Sequence, residues 1–539
     1  MRGAAFFPTL PLLCRLPTRS ISPLATAFYS PTGGAADTIF ALSSGAGVRA
    51  GVAVVRVSGP QARNALLALA PGKSGELPEA RRAVLRKLWA PLPDDADPDE
   101  PRLLIDEALA LWFPGPNSFT GEDTVELQTH GSRAVIAATL EALGTLDGCR
   151  MAEPGEFTRQ AFYNGRMDLT EVEGLSDLIN ADTEEQRKQA LRQMGGAQRS
   201  RYEAWRAELL KSLAYTEALI DFGEDAEDVT NDALASAVVN TRRLRLEMEG
   251  HLGDGGRGEV VREGVRVAIL GPPNAGKSTL LNALAQRDAA IVSDVAGTTR
   301  DVVQVTLQLG GLPVVVSDTA GLRESTNDPI EVQGMLRAAG EARQAQIQLW
   351  VYDARAPPTE PAQLDPDATV AKLGGDADAA GAPGGGAGVG GGNADAAGGV
   401  LEATRLLVLN KVDLLADGAG GSPPSCALLG DSSQWQLSCE TGEGLQTFLD
   451  ALATLVSTRY GSADGEPALI TRARHREHLK RCTGALMAFE ELASLGESAP
   501  LDLAAEEVRI AAEELGRITG RIDVEELLDV IFRDFCIGK

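Results

Sequence analysis

The chain has 539 residues, a hydrophobic share of 44% and a formal net charge of −26 at pH 7. One hydrophobic core does not usually serve so long a chain, so we expect several domains. The acidic balance excludes a surface that grips nucleic acid throughout, and any contact with RNA must be local or shared with a partner. The six cysteines include no CxxC pair, which argues against a zinc site or a disulfide framework. A membrane-spanning run of about 18 apolar residues is absent from the sequence.

The N-terminal segment has the composition of an organellar import peptide. It contains Arg2, Arg15 and Arg19 and no acidic residue before Asp37. A basic, acid-free leader follows the negative-inside potential of mitochondria. We therefore expect residues 1–36 to be a transit peptide and the protein to reach the mitochondrial matrix, with a disordered tail as the alternative.

The rest of the chain alternates between two kinds of pattern. Residues 37–155 mix apolar runs, Gly/Pro turns and helical stretches, which predicts an α+β domain. Helical sequence fills residues 156–262 and 461–539, whereas residues 263–460 alternate strands with loops. This order predicts a multidomain protein in which an α/β domain is inserted into a discontinuous all-α domain.

Two local features refine this division. Thr170 and Glu173 have the spacing of a capping box, which predicts a helix start at that point. Residues 357–400 form a low-complexity loop, with twelve glycines between Gly374 and Gly399. Such a stretch cannot bury a core, so we expect a surface loop inside the α/β domain.

A phosphate-binding loop directly follows the predicted strand Val265–Leu270. Residues Gly271–Ser278 have the form Gly-x-x-x-x-Gly-Lys-Ser. Backbone amides of such a loop surround phosphate oxygens, Lys277 reaches the terminal phosphates, and the Ser278 hydroxyl is a Mg²⁺ ligand. The helix predicted from Ser278 to Ala285 directs its positive end at the anion.

Further motifs in the same domain decide which nucleotide is bound. Asp318-Thr-Ala-Gly321 follows an apolar strand and predicts contacts to the Mg²⁺ shell and the γ-phosphate. In Asn410-Lys-Val-Asp413, the Asp413 carboxylate accepts two hydrogen bonds from the guanine edge, which adenine does not offer. Ser438-Cys-Glu440 closes the base pocket. The residues predicted to contact GTP are Asn274, Ala275, Gly276, Lys277, Ser278, Thr279, Thr298, Thr299, Asp318, Thr319, Ala320, Gly321, Asn410, Lys411, Asp413, Ser438 and Cys439.

The residue that activates water is less obvious from the pattern. Many GTPases place a glutamine directly after Asp-x-x-Gly, whereas Leu322 occupies that position here. Glu324 is the nearest candidate to orient the attacking water, and the alternative is a carboxylate on a surface loop. No arginine can be nominated as a finger, although Arg300 and Arg323 lie nearby in the sequence.

Together these residues resemble the tRNA-modification GTPase family of the MnmE/TrmE type, and its mitochondrial members in particular. The resemblance covers nearly everything after Asp37. It rests on LWFPGPNSFTGED at Leu111–Asp123, PGEFT at Pro154–Thr158, DTAGLRE at Asp318–Glu324 and FCIGK at Phe535–Lys539. It implies a folate-binding N-terminal domain that forms a homodimer, a discontinuous helical domain and an inserted Ras-like P-loop G domain.

The resemblance also implies site residues that the pattern alone does not give. Glu324 matches the catalytic glutamate of the family, and Mg²⁺ would be held by Ser278 and Thr299. K⁺ would take the position of an arginine finger, where a fixed cation neutralises transition-state charge. Its ligands would be Asn274, Ser293, Val295 and Thr298, with Ser293 in place of the usual threonine.

A second implied site binds a one-carbon donor, 5-formyl- or methylene-tetrahydrofolate. Arg56, Glu126, Arg166 and Lys539 would contact it, with Arg166 where bacterial relatives usually have lysine. An arginine suits the carboxylates of the glutamate tail, and Glu126 suits the amino-pyrimidinone edge of the pterin. Cys536 resembles a functional tail cysteine, with a packed apolar thiol as the alternative.

The implied activity is GTP-dependent modification of the wobble uridine of mitochondrial tRNA at C5, with an FAD-dependent partner and a taurinomethyl product. Two alternatives stay open at this point. One is an Era-like GTPase switch in mitochondrial ribosome assembly, although no KH-like segment follows Val456. The other is a folate-dependent transferase with a vestigial G domain. The basic run Arg472–Arg481 is interpreted as a solvated helix face, with a tRNA contact as the alternative.

Overall fold

The computed structural model describes most of the chain after residue 36. The predicted transit peptide and residues 366–400 of the predicted low-complexity loop lie outside the described residues. The chain comprises two compact units, Met1–Arg166 with Phe532–Lys539, and Met167–Ile531. The described ranges are 37–45, 50–72, 75–92, 101–222, 227–286, 290–291, 303–318, 340, 342–365, 403–415, 433–461, 468–522, 528, 531–532, 535 and 538.

The first unit is built on a six-stranded sheet with the order β3-β4-β5-β2-β1-β6. All neighbouring strands are antiparallel except the parallel pair β1 and β6. This mixture of helices and an antiparallel sheet confirms the predicted α+β class. Its elements are β1 Thr38–Leu42, β2 Ala50–Ser58, α1 Ala62–Leu69, β3 Val84–Trp89, β4 Leu104–Phe113, β5 Thr124–Gly131, α2 Arg133–Gly144, β6 Cys149–Met151 and α3 Glu156–Tyr163.

The core of this unit follows from strand alternation. Val55 and Val57 point to one face of β2, where they pack with Leu66 and Leu69 of α1. Helix α2 contributes Leu143 to the same cluster and begins at Ser132, whose side chain accepts a hydrogen bond from the Val135 N–H. Helices α1 and α2 therefore cover one face of the sheet, whereas Phe157 of α3 packs with Ile39 and Ala41, which alternate with Phe40 along β1.

The second unit contains a helical part and an α/β part. The helices of its helical part are α4 Leu169–Ile179, α5 Glu184–Met194, α6 Ala197–Phe222, α7 Glu227–Leu252, α8 Arg257–Glu263, α11 Ala473–Ala493 and α12 Leu501–Thr519. The elements of its α/β part are β7 Val265–Leu270, α9 Lys277–Ala285, β8 Ala290–Ile291, β9 Val303–Leu309, β10 Leu312–Asp318, β11 Ile347–Asp353, β12 Thr404–Asn410, β13 Gln434–Gln436 and α10 Leu445–Tyr460.

Helices on both sides of the α/β part share one hydrophobic core. Trp205 and Leu209 of α6 and Met248 of α7 pack with Leu486 of α11 and Leu515 of α12. Residues separated by more than 200 positions therefore bury one another, which confirms the predicted discontinuous all-α domain. Among the described residues, no helix combines the length and apolar character that crossing a bilayer requires.

The start of α4 corrects one expectation. The capping box is formed by Asp168 and Glu171, whose side chains accept from each other's backbone N–H groups, and not by Thr170 and Glu173. Thr170 instead donates to the Asp168 carboxylate at 2.8 Å. Glu173 lies inside the helix and is buried, because its carboxylate pairs with side chains of α11.

The α/β part is a seven-stranded sheet with the order β13-β12-β11-β7-β10-β9-β8. Strands β13, β12, β11, β7 and β10 are parallel, and β9 and β8 extend the edge in antiparallel pairing. Parallel strands place their carboxyl ends at one edge, where ligands bind in such sheets. The carboxyl ends of β7, β10, β12 and β13 all lie at that edge, which confirms the predicted inserted α/β domain.

Candidate nucleotide site

The loop between β7 and α9 has a backbone conformation that requires glycine at two positions. Gly271 has a φ of 137°, and a Cβ there would lie 2.1 Å from the Val351 carbonyl oxygen. Gly276 has a φ of 95°, and its Cβ would lie 2.2 Å from the Asn410 side-chain nitrogen. Both positions therefore require glycine. The loop closes tightly over the N-terminus of α9, whose free amides suit an anion.

Lys277 and Ser278 begin α9 beside the end of β10. Lys277 is buried, and its Nζ donates to the Gly271 and Pro272 carbonyls at 2.9 and 2.8 Å. Burial lowers the pKa of Lys277, and the charge of Asp318 opposes that change. A lysine held in this way lies along the loop that the sequence assigns to the phosphates.

The pair of Ser278 and Asp318 has the chemistry of a magnesium site. The Ser278 hydroxyl donates to Oδ2 of Asp318 at 2.5 Å. The other oxygen, Oδ1, is buried and has no hydrogen-bond partner among the described residues. Mg²⁺ prefers oxygen ligands of this kind, one or two from the protein. The donor set therefore fits the metal.

Asn410, at the end of β12, holds two loops together. Its Nδ2 donates to the Ala275 carbonyl at 3.0 Å, and its Oδ1 accepts from the Cys439 N–H at 3.1 Å. The side chain is 2% exposed. A buried amide with both ends bonded fixes the phosphate-binding loop against the loop after β13.

Lys411 adds a second brace, and it involves a residue that the sequence did not single out. Its Nζ donates to the Asn274 carbonyl at 2.6 Å and to the Asp353 carboxylate at 3.1 Å. The hydrogen bond from Arg355, together with that from Lys411, holds the pKa of Asp353 well below its usual range. The available signal was an aspartate that ends the apolar strand β11, directly beside β12.

The predicted base pocket lies beyond this brace. Asp413 is exposed in a short 3₁₀ turn, Val412–Leu414. Ser438 is fully buried, and its hydroxyl accepts from the Thr441 N–H at 3.2 Å. Burial raises the pKa of Cys439 to about 11, so that group is a neutral thiol at pH 7. The exposed Asp413 carboxylate, beside the buried Ser438, can accept hydrogen bonds from the edge of a planar base.

The predicted site residues divide between those that the structure describes and those that lie outside its described part. The described residues bring together Asn274, Ala275, Gly276, Lys277, Ser278, Asp318, Asn410, Lys411, Ser438 and Cys439, with Thr279 exposed on α9 and Asp413 exposed in its turn. The predicted residues outside the described part are Ser293, Val295, Thr298, Thr299, Thr319, Ala320, Gly321, Glu324, Cys536 and Lys539.

Three of the residues predicted to bind folate lie in the first unit. Arg56 of β2 and Glu126 of β5 are cross-strand neighbours, and two guanidinium nitrogens of Arg56 donate to Glu126 Oε1 at 3.0 and 2.9 Å. The Arg56 guanidinium also lies 5.0 Å from the centre of the Phe119 ring. Arg166 is exposed, and its side chain lies beside Gly121.

The loop carrying Phe119 and Gly121 contains a further residue that the sequence did not indicate. Glu122 has one carboxylate oxygen that is buried and has no hydrogen-bond partner among the described residues. Burial, followed by the charge of Asp123, raises the pKa of Glu122. The loop thus touches both Arg56 and Arg166 and holds a carboxyl group able to meet a ligand.

Comparison with known proteins identifies the family. A family model described as the MnmE helical domain matches residues 169–536, and one described as the GTP-binding protein TrmE N-terminus matches residues 38–166. The tRNA modification GTPase MnmE of Parvibaculum lavamentivorans is 49% identical over 93% of this chain and 100% of its own length. The chain belongs to the MnmE/TrmE family of tRNA modification GTPases.

Mitochondrial relatives are similar over the same extent. The human protein named 5-taurinomethyluridine-tRNA synthase subunit GTPB3, mitochondrial, is 44% identical over 95% of this chain and 95% of its own length. Its namesake from Danio rerio is 45% identical over 93% of each chain. As a member of the MnmE/TrmE family, the chain is a GTP-hydrolysing enzyme, as the sequence predicted.

Three arginines of the basic run Arg472–Arg481 in this MnmE/TrmE chain form ion pairs with other helices, whereas Lys480 and Arg481 are exposed. Arg472 pairs with Asp177 at 2.7 Å, Arg474 with Glu173 at 2.6 Å, and Arg476 with Glu259 at 2.9 Å. These three arginines are partly buried and point toward other helices. The expectation of a solvated face is therefore wrong for them, because internal carboxylates take up their charge.

Proposed function

We propose that this chain is a GTPase acting in C5 modification of the wobble uridine of mitochondrial tRNAs, with a taurinomethyl uridine as the product. The proposal rests on one observation. The carboxyl ends of β7, β10, β12 and β13 lie at one edge of the sheet, beside the loop between β7 and α9, to which Asn410 donates a hydrogen bond. Full-length similarity to proteins named as tRNA modification enzymes supplies the substrate class, and the names of two of them supply the mitochondrial location.

In this proposal the nucleotide lies along the braced loop. Backbone amides of residues 274–279 surround the phosphates, and Lys277 exchanges its two carbonyl partners for phosphate oxygens. Asp413 selects guanine through two hydrogen bonds, above the floor made by Ser438 and Cys439. Thr298 and the Asp318–Gly321 motif sense the γ-phosphate.

The hydrolytic step needs a positioned water and neutralised charge. Ser278 and Thr299, with Asp318 beside them, would hold Mg²⁺, which would supply positive charge next to the phosphates. The unpartnered Asp318 oxygen supports that assignment. Glu324 orients the attacking water. Asn274, Ser293, Val295 and Thr298 would hold K⁺ as a fixed cation in place of an arginine finger.

We place the one-carbon donor, 5-formyl- or methylene-tetrahydrofolate, in the first unit. Arg56, Glu126, Arg166 and Lys539 are its proposed contacts, and the Arg56–Glu126 pair above Phe119 supports a site for a flat, polar ring. The raised pKa of Glu122 adds a carboxyl group that can donate a hydrogen bond when protonated. Cys536 is a further candidate at the C-terminal tail.

The domain limits and partners are part of the same proposal. Residues 1–36 are a transit peptide, 37–155 bind folate and form a homodimer, 156–262 and 461–539 form the helical domain, and 263–460 form the G domain. An FAD-dependent protein acts with this chain on the uridine and supplies most of the contact with tRNA, in accord with a net charge of −26. GTP hydrolysis reorganises this complex.

The direct test is mass analysis of wobble uridines in mitochondrial tRNA. Cells lacking this protein should lose the taurinomethyl group, and the intact chain should restore it. Lys277→Ala should fail to restore it because the phosphates lose their lysine, whereas Lys211→Ala, which removes an exposed lysine of α6, should succeed. Normal modification without the protein, or restoration by Lys277→Ala, would contradict the proposal.

A further inference from the structure

A cavity of about 350 Å³ lies in the second unit, away from the nucleotide loop. It is lined by parts of α5, α6, α7 and α8 and by the end of α10. Packing of α5 against α8 brings its two sides together, since the Gln189 side chain donates to the Gly258 carbonyl at 2.9 Å. The charged lining comprises four cations and two carboxylates, namely Lys188, Arg192, Arg201, Arg257, Glu185 and Asp254.

Most of these charges are already neutralised by neighbours. Asp254 accepts from Arg476 at 3.1 Å, Lys188 pairs with Glu185 at 2.9 Å, and Arg201 pairs with Glu247 at 2.8 Å. Arg192 and Arg257 are left, and neither forms an ion pair within the part of the chain that the structure describes. The cavity therefore carries two positive charges without ion-pair partners, in a protein whose net charge is −26.

The cavity also has two buried polar atoms that lack partners. Gln198 is 4% exposed, and its Oε1 has no hydrogen-bond partner among the described residues, although its Nε2 donates to the Thr471 hydroxyl at 3.3 Å. Tyr460 is 1% exposed, and its hydroxyl is similarly unpartnered. Burying such an atom without a hydrogen-bond partner is unfavourable. Both residues line the cavity, so a ligand there would supply the missing hydrogen bonds.

We propose that this cavity binds a phosphate-bearing ligand. Guanidinium groups form paired hydrogen bonds with phosphate oxygens, which Arg192 and Arg257 can supply. The Tyr460 hydroxyl donates to a third oxygen, since burial raises the pKa of Tyr460 and keeps it protonated. Gln198 Oε1 accepts from a P–OH or sugar hydroxyl. The volume lies at the small end of the usual range for ligand cavities, about 300–1,000 Å³.

The same phosphate chemistry has two sources, a small phosphorylated compound or the backbone of RNA. The first arm of the test uses the full chain saturated with Mg²⁺ and GDP, so that the nucleotide loop is filled. Inorganic pyrophosphate is then titrated by calorimetry. One pyrophosphate should bind per chain, and Arg192→Ala/Arg257→Ala should weaken it by at least about tenfold. Both arginines are exposed, so their removal should not disturb folding.

The control variant is Arg242→Ala/Arg509→Ala, which removes the same charge from exposed positions on α7 and α12. Its pyrophosphate affinity should equal that of the unchanged protein. The second arm measures tRNA binding by the same variants. Weaker tRNA binding in the cavity variant alone assigns the site to an RNA phosphate. Should the cavity variant and the control behave alike in both arms, the proposal is overturned.

Discussion

Two regions of the second unit differ in whether their buried carboxylates are paired with other side chains. At the junction of α4 and α11, Glu173 is 1% exposed and accepts hydrogen bonds from Arg474 at 2.6 and 2.9 Å, with His475 3.0 Å away. At the nucleotide loop, an Asp318 oxygen is buried without a partner among the described residues, and Asp413 is exposed. The first region pairs its carboxylate internally and leaves only ring and guanidinium nitrogens, His475 Nδ1 and Arg472 Nε, without hydrogen-bond partners among the described residues. The second region leaves carboxylate oxygens for a ligand.

The difference separates structural charge from functional charge. Burial alone would raise the pKa of Glu173, yet Arg474 and His475 hold it well below its usual range. The carboxylate thus joins two helices that are about 300 residues apart in the sequence. A residue of that kind contributes to folding, whereas Lys277 and Asp318 are among the residues that we propose for nucleotide binding.

The comparison predicts its largest effect at Glu173. Glu173→Ala should lower the free energy of unfolding by about 3–5 kcal/mol, because it leaves Arg474 buried without its carboxylate. Denaturant unfolding of the full chain measures this change. Glu217→Ala breaks the exposed pair with Arg509 and should cost about 0–1 kcal/mol. Similar losses in both variants would show that burial does not distinguish the two pairs.

The sequence predicted the nucleotide loop better than this junction, for a physical reason. Val265–Leu270 coincides with β7 at both ends, because an apolar run before a glycine-rich loop is a local signal. Glu173 was assigned to a helix cap because its partners on α11 are distant in sequence. The role of Asp353 was missed because it depends on register, which pairs Asp353 with Asn410 across β11 and β12.

The second-largest effect is expected from acid, which should lower the free energy of unfolding through the junction of α4 and α11. Burial, followed by the charge of Arg474, lowers the pKa of His475 from 6.5 to about 4. The unfolded chain therefore takes up a proton first as the pH falls, and stability drops between pH 6.5 and about 4. The loss should be on the order of 2–3 kcal/mol. Unfolding curves across this range measure it.

His475→Gln removes this titrating group and should flatten the slope of stability against pH. An unaltered slope in His475→Gln would assign the acid sensitivity to other groups.

At the nucleotide loop, the comparison predicts sensitivity to a bound cation. GTP turnover should be at least about tenfold faster in K⁺ than in Na⁺ at equal concentration, because a correctly sized cation near Asn274 neutralises transition-state charge. Phosphate release from the full chain measures the rates. Equal rates in the two salts would remove K⁺ from the mechanism.

The smallest effect is expected at the brace around Lys411. Asp353→Asn should weaken GTP binding by about three- to tenfold, since Lys411 loses its charged partner and holds Asn274 less firmly. Asp450→Asn changes an exposed carboxylate on α10 and should have no effect on affinity. An Asp353→Asn protein with full affinity would show that the loop keeps its shape without this contact.

The most direct test of the account is calorimetric titration of the full chain with GTP and with ATP in the presence of Mg²⁺. Guanine offers Asp413 two donors that adenine lacks, so GTP should bind at least about 100-fold more tightly than ATP. Equal affinity for the two nucleotides, or no binding of either, would contradict the assignment of this strand edge as a GTP site.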